Sequence, residues 1–249
     1  MIVRLFAAAA ALLFSMSSVQ AAEIKVLASN GVKAALEELA PVYERQTGNK
    51  LSITFGLAAV LKRQIESGEP FDFAILTDAG IEDLAKQGKV DVASRVAIAR
   101  SGVGIGIKKG APRADIGTRE ALVRTLLAAK SITWAKEGVG GVYFAALLER
   151  LGIIGQMKPK IVPAGSGAEV GRLVAAGEVQ YGVILVNEIL AAPGMELLAP
   201  LPPEVQKMTA FHAAIAAGSK RAAAARALIE FLRTPSARTV FEAKGQQPA

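Results

Sequence analysis

The chain has 249 residues, with 29 Lys plus Arg against 22 Asp plus Glu and a formal charge of +7. At 52% hydrophobic and 20% charged residues it is long and apolar enough to bury a core, which excludes a disordered chain. No Cys and a single His exclude thiol nucleophiles, disulfides and iron–sulfur clusters, and leave little material for a His-based metal site or a Ser-His-Asp triad.

The first 21 residues read as a secretory signal. Arg4 supplies a positive start, Leu5 to Met16 an apolar run, and Val19-Gln20-Ala21 the small residues of a cleavage site after Ala21. The apolar run is shorter than the ~20 residues that span a bilayer. No Cys follows it, so a lipid anchor of the lipoprotein kind is excluded. These features place the protein in the periplasm. The positive charge is scattered rather than gathered into a basic stripe. With one Trp, three Tyr and nine Phe there are few rings to stack bases. A nucleic-acid role is therefore not expected, whereas a mild attraction for small anions is.

From Ile24 onward strand and helix patterns alternate. Ile24 to Leu27 reads as a strand, Ser29-Asn30-Gly31 as a turn and helix cap, and Val32 to Thr47 as a helix. Lys50 to Phe55 alternates as a strand, Leu57 to Glu66 as a helix, Phe71 to Leu76 as a buried strand, and a short helix then runs to Gln87. Such alternation is the mark of an α/β fold with a largely parallel sheet. Arg95 to Lys108 is a long extended stretch, able to carry the chain from one lobe to another. Beyond it the alternation resumes. Helices are predicted at 120–129, 142–151 and 167–176, strands at 131–134, 160–163 and 179–186, and loops at 137–141 and 164–167. Met208 to Ala217 is a second extended stretch that could carry the chain back, before two C-terminal helices at 220–232 and 235–244. The layout predicts two α/β lobes, residues 22–97 with 212–249 and residues 98–211, around a ligand cleft that closes by a hinge.

Four loops fall between a strand end and a helix start: Ser29-Asn30-Gly31, Gly56-Leu57-Ala58-Ala59, Val139-Gly140-Gly141 and Ser166-Gly167. Helix starts present unpaired N–H groups and partial positive charge, and glycine permits close approach, so together such loops can hold an anion. Each alone is also ordinary turn chemistry. Gly102-x-Gly104-x-Gly106 lies within a strand pattern and is not a dinucleotide fingerprint. His212 reads as a buried or hinge histidine, Trp134 as core or cleft wall, and Glu82-Asp83 as a solvated helix start. No pair of carboxylates has a context for acid–base work, so no enzymatic activity, metal or cofactor is expected.

The run Ile-Lys-Val-Leu-Ala-Ser-Asn-Gly at 24–31 and Leu61-x-Arg63-Gln64-Ile65-Glu66-x-Gly68-x-Pro70-x-Asp72 resemble the periplasmic molybdate-binding proteins of ABC importers. So do Gly140-Gly141-Val142-Tyr143 and 178–184. The resemblance implies a two-lobed type II periplasmic-binding-protein fold, each lobe a mixed, mostly parallel sheet with flanking helices. It also implies a monomer that delivers a small anion to an ABC permease in the inner membrane. Three hydroxyl donors of that family fall here on Gly31, Ala58 and Leu185, while its backbone donors carry over to Gly140 and near Gly167. The expected ligand contacts are thus Ser29, Asn30, Gly31, Leu57, Ala58, Val139, Gly140, Ser166, Gly167, Leu185 and Asn187. Each lost charge-assisted bond costs about 1.5–3 kcal/mol. Either a molybdate-like oxyanion or a small organic carboxylate with apolar walls at Leu57, Ala58 and Leu185 fits this set. A sensory module that transports nothing has the same sequence features.

Overall fold

A computed structural model describes residues 21–249. The export signal read in the first 21 residues lies almost wholly outside this range. In chain order the elements are β1 Glu23–Ser29, α1 Lys33–Thr47, β2 Lys50–Gly56, α2 Ala58–Glu66, β3 Phe73–Thr77, α3 Asp78–Lys86 and β4 Val96–Lys108. Then come α4 Arg119–Ala128, β5 Ile132–Ala135, α5 Val139–Arg150, α6 Ile154–Met157, β6 Ile161–Ala164 and α7 Gly167–Ala176. The chain ends with β7 Tyr181–Leu185, α8 Val186–Ala191, β8 Met195–Pro200, β9 Met208–Ile215, α9 Ala222–Leu232, α10 Pro235–Ala243 and β10 Gln247–Pro248. The predicted alternation is present throughout. The chain differs from it in several places, among them the added short elements α6 and β10. Val139-Gly140-Gly141 is the first turn of α5 rather than a loop. Val186 opens α8 instead of closing the preceding strand, and neither α8 nor β8 was foreseen.

The sheet runs β2-β1-β3-β9-β4-β7-β5-β6, with β8 and β10 also paired to β4. Pairing is parallel within β2-β1-β3 and within β7-β5-β6, and antiparallel wherever β4 or β9 takes part. The first part of β4, Val96 to Gly102, pairs with β9, and Val103 to Gly106 pairs with β7. One strand therefore carries the backbone ladder from one half of the sheet to the other. Burial follows position. Edge strand β2 alternates between exposed and partly buried residues, while all five residues of β7 are buried between neighbours.

Helices end where the backbone needs glycine. Gly48 closes α1 and Gly177 closes α7 in left-handed conformations, φ 75° and 79°, which other residues rarely adopt. The core of the first half gathers Ile24, Val26, Leu36, Tyr43 and Phe73 against Phe231 and Phe241 of the C-terminal helices. The Tyr43 hydroxyl donates to the Ala224 carbonyl at 3.0 Å and accepts from Asn49 at 3.1 Å, so this buried ring keeps its polar end satisfied.

Asp72 is buried just ahead of β3. Its carboxylate accepts from the Lys25 backbone N–H at 3.0 Å and from the Ser219 hydroxyl at 2.7 Å. It joins β1, β3 and the segment leaving β9. Replacing it strands a buried donor, which costs about 1–3 kcal/mol. Asp72→Ala is expected to lower the melting temperature by several degrees in calorimetry. Asp72→Asn, which keeps an acceptor oxygen, should recover part of that loss.

Candidate functional site

The parallel strands end side by side. Ser29 of β1 lies in register with Gly56 of β2, and Ala135 of β5 with Ala164 of β6. Each strand end leads directly into a helix start. In open α/β sheets ligands bind at this place, beyond the carboxyl ends of the strands. Here those ends enclose a narrow cleft lined by Ser29, Asn30, Gly31, Leu57, Ala58, Val139, Gly140, Gly167 and Leu185. Nine of the eleven expected contact residues are thus brought together. Of the other two, Ser166 precedes the cleft wall and Asn187 lines an adjoining groove. Ala135, Gly138, Gly141, Ile184 and Glu188 line the cleft without having been anticipated.

The helix starts differ in what they leave free. Ser166 caps α7, its hydroxyl oxygen accepting from the Glu169 N–H at 3.1 Å. Ser29 is buried and accepts from the Gly31 N–H at 3.3 Å. α2 and α5 carry no side-chain cap at all. The N–H groups of Ala58 and Ala59, and of Val139, Gly140 and Gly141, form the first turns of these two helices and have no partner within their own helix. They belong to opposite halves of the sheet and meet at the cleft. The glycines let the wall close tightly. A Cβ on Gly141 would lie 2.1 Å from the Ala135 carbonyl oxygen.

Gly31 is a glycine for the same reason. A Cβ there would sit 2.2 Å from the Phe211 ring. Its carbonyl accepts from the Asn187 amide at 2.8 Å and the Gln246 amide at 3.0 Å. Asn187 therefore spends its amide hydrogens on holding the Asn30–Val32 turn in place. His212 is not among the cleft-lining residues. It stands 3.1 Å from Asp78, which also pairs with Arg95, and burial pushes its pKa below the ordinary value. Trp134 packs edge-on against Phe144 at 5.4 Å, as a ring at the margin of the core rather than of the cleft. Tyr143 of the Gly-Gly-Val-Tyr motif donates to the Val205 carbonyl at 2.7 Å.

Across the mouth, Arg63 of α2 meets Glu137, just ahead of α5, at 2.7 Å. Val139 packs against the apolar cluster of Leu27, Ala58 and Leu61. The two walls are in contact, and the space left between them is only about 20 Å³, room for about one water molecule.

Glu188 is the one ionisable side chain lining the cleft. It occupies the third position of α8, and its carboxylate accepts from the Leu185 N–H at 3.3 Å, closing the helix start. The same carboxylate faces Gly167, whose missing side chain leaves it room: a Cβ at Gly167 would stand 3.5 Å from it. Burial drives its pKa up from 4.5 to about 7, only partly offset by the Leu185 hydrogen bond. A carboxyl poised near neutral pH can both take and return a proton. A lone acid without a partner carboxylate carries little acid–base signal in the sequence. The legible signal was Leu185-Val-Asn-Glu188, an acid three residues into a helix that starts at a buried strand end.

The chain matches the family model of the bacterial extracellular solute-binding proteins over residues 24–247. It belongs to this family. It is 30% identical over 233 residues to an aconitate isomerase of a Pseudomonas species, covering 90% of this chain and 87% of that one. It is 25% identical over 227 residues to the molybdate-binding protein ModA of Escherichia coli, covering 90% and 88%. The solved periplasmic molybdate-binding protein of Azotobacter vinelandii superposes with a TM-score of 0.75 at 21% identity, covering 90% of this chain and 98% of that one. The fold is the type II periplasmic-binding-protein fold that the sequence resemblance implied. The expectation that the protein is not an enzyme is overturned: a relative spanning nearly the whole chain is an isomerase. A single carboxyl needs no partner carboxylate to transfer a proton, so the lack of a carboxylate pair does not exclude an enzyme. Among the described residues no helix is long and apolar enough to cross a membrane.

Two measurements test this site. Gly31→Ser, which restores a hydroxyl at this helix start, is expected to cost about 1–3 kcal/mol because the Phe211 ring must move; an unchanged melting temperature would show that the ring gives way freely. For Glu188 the raised pKa sets the sign of a pH effect. The folded protein holds its proton more tightly than the unfolded chain, so stability from this group is full below pH 4.5 and is lost as pH rises through about 7. Glu188→Gln should therefore be stabilised relative to the parent at pH 8, on the order of 2 kcal/mol, with the difference vanishing near pH 4. Denaturant unfolding at both pH values reads this directly.

Proposed function

We propose that the protein is a periplasmic binding protein for an unsaturated polycarboxylate of the aconitate type, and that it isomerises its ligand by proton transfer at Glu188. The observation that carries this reading is Glu188 itself, a carboxyl with a pKa of about 7 on the wall of a cleft built from helix starts. The isomerase of Pseudomonas, similar over nearly its whole length, supports it.

In the proposed reaction one carboxylate of the ligand lies against the N–H groups of Ala58, Ala59 and Val139 to Gly141. The ionised Glu188 takes a proton from the methylene carbon beside the double bond. The electron pair left behind spreads over the three-carbon allyl unit and its carboxylates, whose growing negative charge the helix starts stabilise. Glu188 then returns the proton to the other end of the allyl unit. The double bond has moved and can re-form in either geometry, and no atom is gained or lost. The apolar residues Leu57, Ala58 and Leu185 keep water from the carbanion.

The halves of the sheet act as lobes that close about β4 and β9, with the Arg63–Glu137 pair drawn across the mouth. The protein is exported by its N-terminal signal and acts as a monomer. The partner is the membrane permease of an ABC importer, to which the closed lobes present the ligand. Molybdate capture is the reading that the Escherichia coli and Azotobacter vinelandii relatives favour. Against it stand Gly31, Ala58 and Leu185, which offer no hydroxyl where an oxyanion would need one.

The decisive experiment is proton NMR of cis-aconitate incubated with the purified protein in heavy water. Appearance of the trans isomer with deuterium in the product supports the proposal. Glu188→Gln should lower turnover at least 100-fold while ligand still raises the melting temperature. For the parent, kcat/KM should rise with pH through about 7 as Glu188 ionises. Absence of turnover, together with a melting-temperature rise from molybdate but not from any carboxylate, would overturn it in favour of oxyanion capture.

A further inference from the structure

The closed cleft is too small and too poor in charge for the ligand just proposed. It encloses about 20 Å³ and no Lys or Arg lines it. A tricarboxylate has twelve non-hydrogen atoms and carries up to three negative charges. Helix starts can serve one carboxylate, but burying the others without a cation is costly.

A second cavity adjoins the first. It is a groove of about 700 Å³ between α1 on one side and α7 and α8 on the other. It shares Asn30, Gly167 and Glu188 with the cleft, so the two spaces meet at the Glu188 carboxylate. Its walls are kept low by small residues such as Ala34, Ala168, Gly171, Ala175 and Ala191. Two cations stand in it, Lys33 in the first turn of α1 and Arg172 on α7. Arg172 lies on the same helix as Gly167, five residues further along, and lines the groove with it.

Both cations have exposed acidic neighbours, and Lys33 also lies over the Phe55 ring, 5.7 Å from its centre. Lys33 is 3.7 Å from Glu37, and Arg172 is 2.9 Å from Glu178. Exposed pairs of this kind contribute little, so a ligand carboxylate can take the place of the acidic partner. Arg172 can meet a carboxylate with two parallel N–H donors, and Lys33 adds a second charge from the facing wall.

The geometry points to the groove as the distal half of the ligand site, with Arg172 and Lys33 receiving the carboxylates that the cleft does not hold. This inference rests on the carboxylate reading. It makes these two residues the ones that select a polycarboxylate over a monocarboxylate or a compact oxyanion, and it makes the groove the side through which the ligand's far end remains accessible when the cleft is shut.

The test is calorimetric titration of the purified protein with propane-1,2,3-tricarboxylate, a saturated probe that cannot react, at low and high salt. Arg172→Gln and Lys33→Gln are surface changes that leave the core intact. Each should raise Kd for the tricarboxylate about tenfold at low salt. Both variants should also show a shallower dependence of Kd on salt than the parent. Glu188→Gln, tested beside them, should retain the parent's salt dependence. If both variants bind the tricarboxylate as the parent does, the groove is not part of the site, while the carboxylate reading stands on the parent's binding. If the parent itself binds no tricarboxylate, both the groove and the carboxylate reading fall.

Discussion

The candidate site depends on one strand having no side chains on part of one face. β4 carries Gly102, Gly104 and Gly106, and each is a glycine because something packs there. A Cβ on Gly104 would lie 3.0 Å from Leu197, 3.1 Å from Ile189 and 3.1 Å from Val186. On Gly106 it would lie 2.1 Å from the end of Met195, and on Gly102 3.0 Å from Gln206. The bare face lets α8 lie directly on β4, with side chains of the paired strand β8 reaching over the glycines. That seat is what brings Glu188 to the cleft and Asn187 to the Gly31 carbonyl. The same strand joins the two halves of the sheet, so the element that positions the ionisable group also sets how the halves meet.

From this seat the rest of the cleft follows by close approach. Asn187 and Gln246 hold the Gly31 carbonyl, and Phe211 fills the space where a side chain would be. Gly140 lies against the junction of β7 and α8, where a Cβ would be 3.4 Å from the Ile184 carbonyl carbon and 3.5 Å from the Leu185 nitrogen. The helix starts of α2 and α5 are left uncapped, and the cleft they line holds one carboxyl, the polar Ser29 and Asn30, and otherwise apolar or small residues. A site of this make-up has the groups to attract negative charge through backbone dipoles and to exchange a proton through one side chain. The family to which the chain belongs uses such a cleft to bind solutes, and a member of similar sequence carries out an isomerisation.

Local sequence was enough for the alternation of strands and helices, because period-two and period-3.6 apolar patterns survive in single elements. It was enough for the four junctions between strand ends and helix starts, since Gly, Ser and Asn mark turns and caps wherever they fall. It was also enough for the chain's long extended segments, β4 and β9. The short α8 of six residues and the β8 that follows it were not legible, because so short a helix has no room for a periodic face. The first turn of α5 read as a loop because Gly140 and Gly141 break helical propensity, and only the crowding at Ala135 and Leu185 explains why glycine is required there.

What the sequence alone determined is the α/β class, the export signal as an expectation, and the set of helix starts able to hold an anion, all of which follow from local patterning and backbone preference. What only the tertiary structure decided is the chemistry at the centre. The reason is physical. The pKa of Glu188 is set by burial among residues distant in sequence, and the glycines of β4 acquire meaning only through the side chains that pack on them. A carboxyl written in the sequence is only an acid. Its surroundings at the junction of β4, α7 and α8 bring its pKa to about 7.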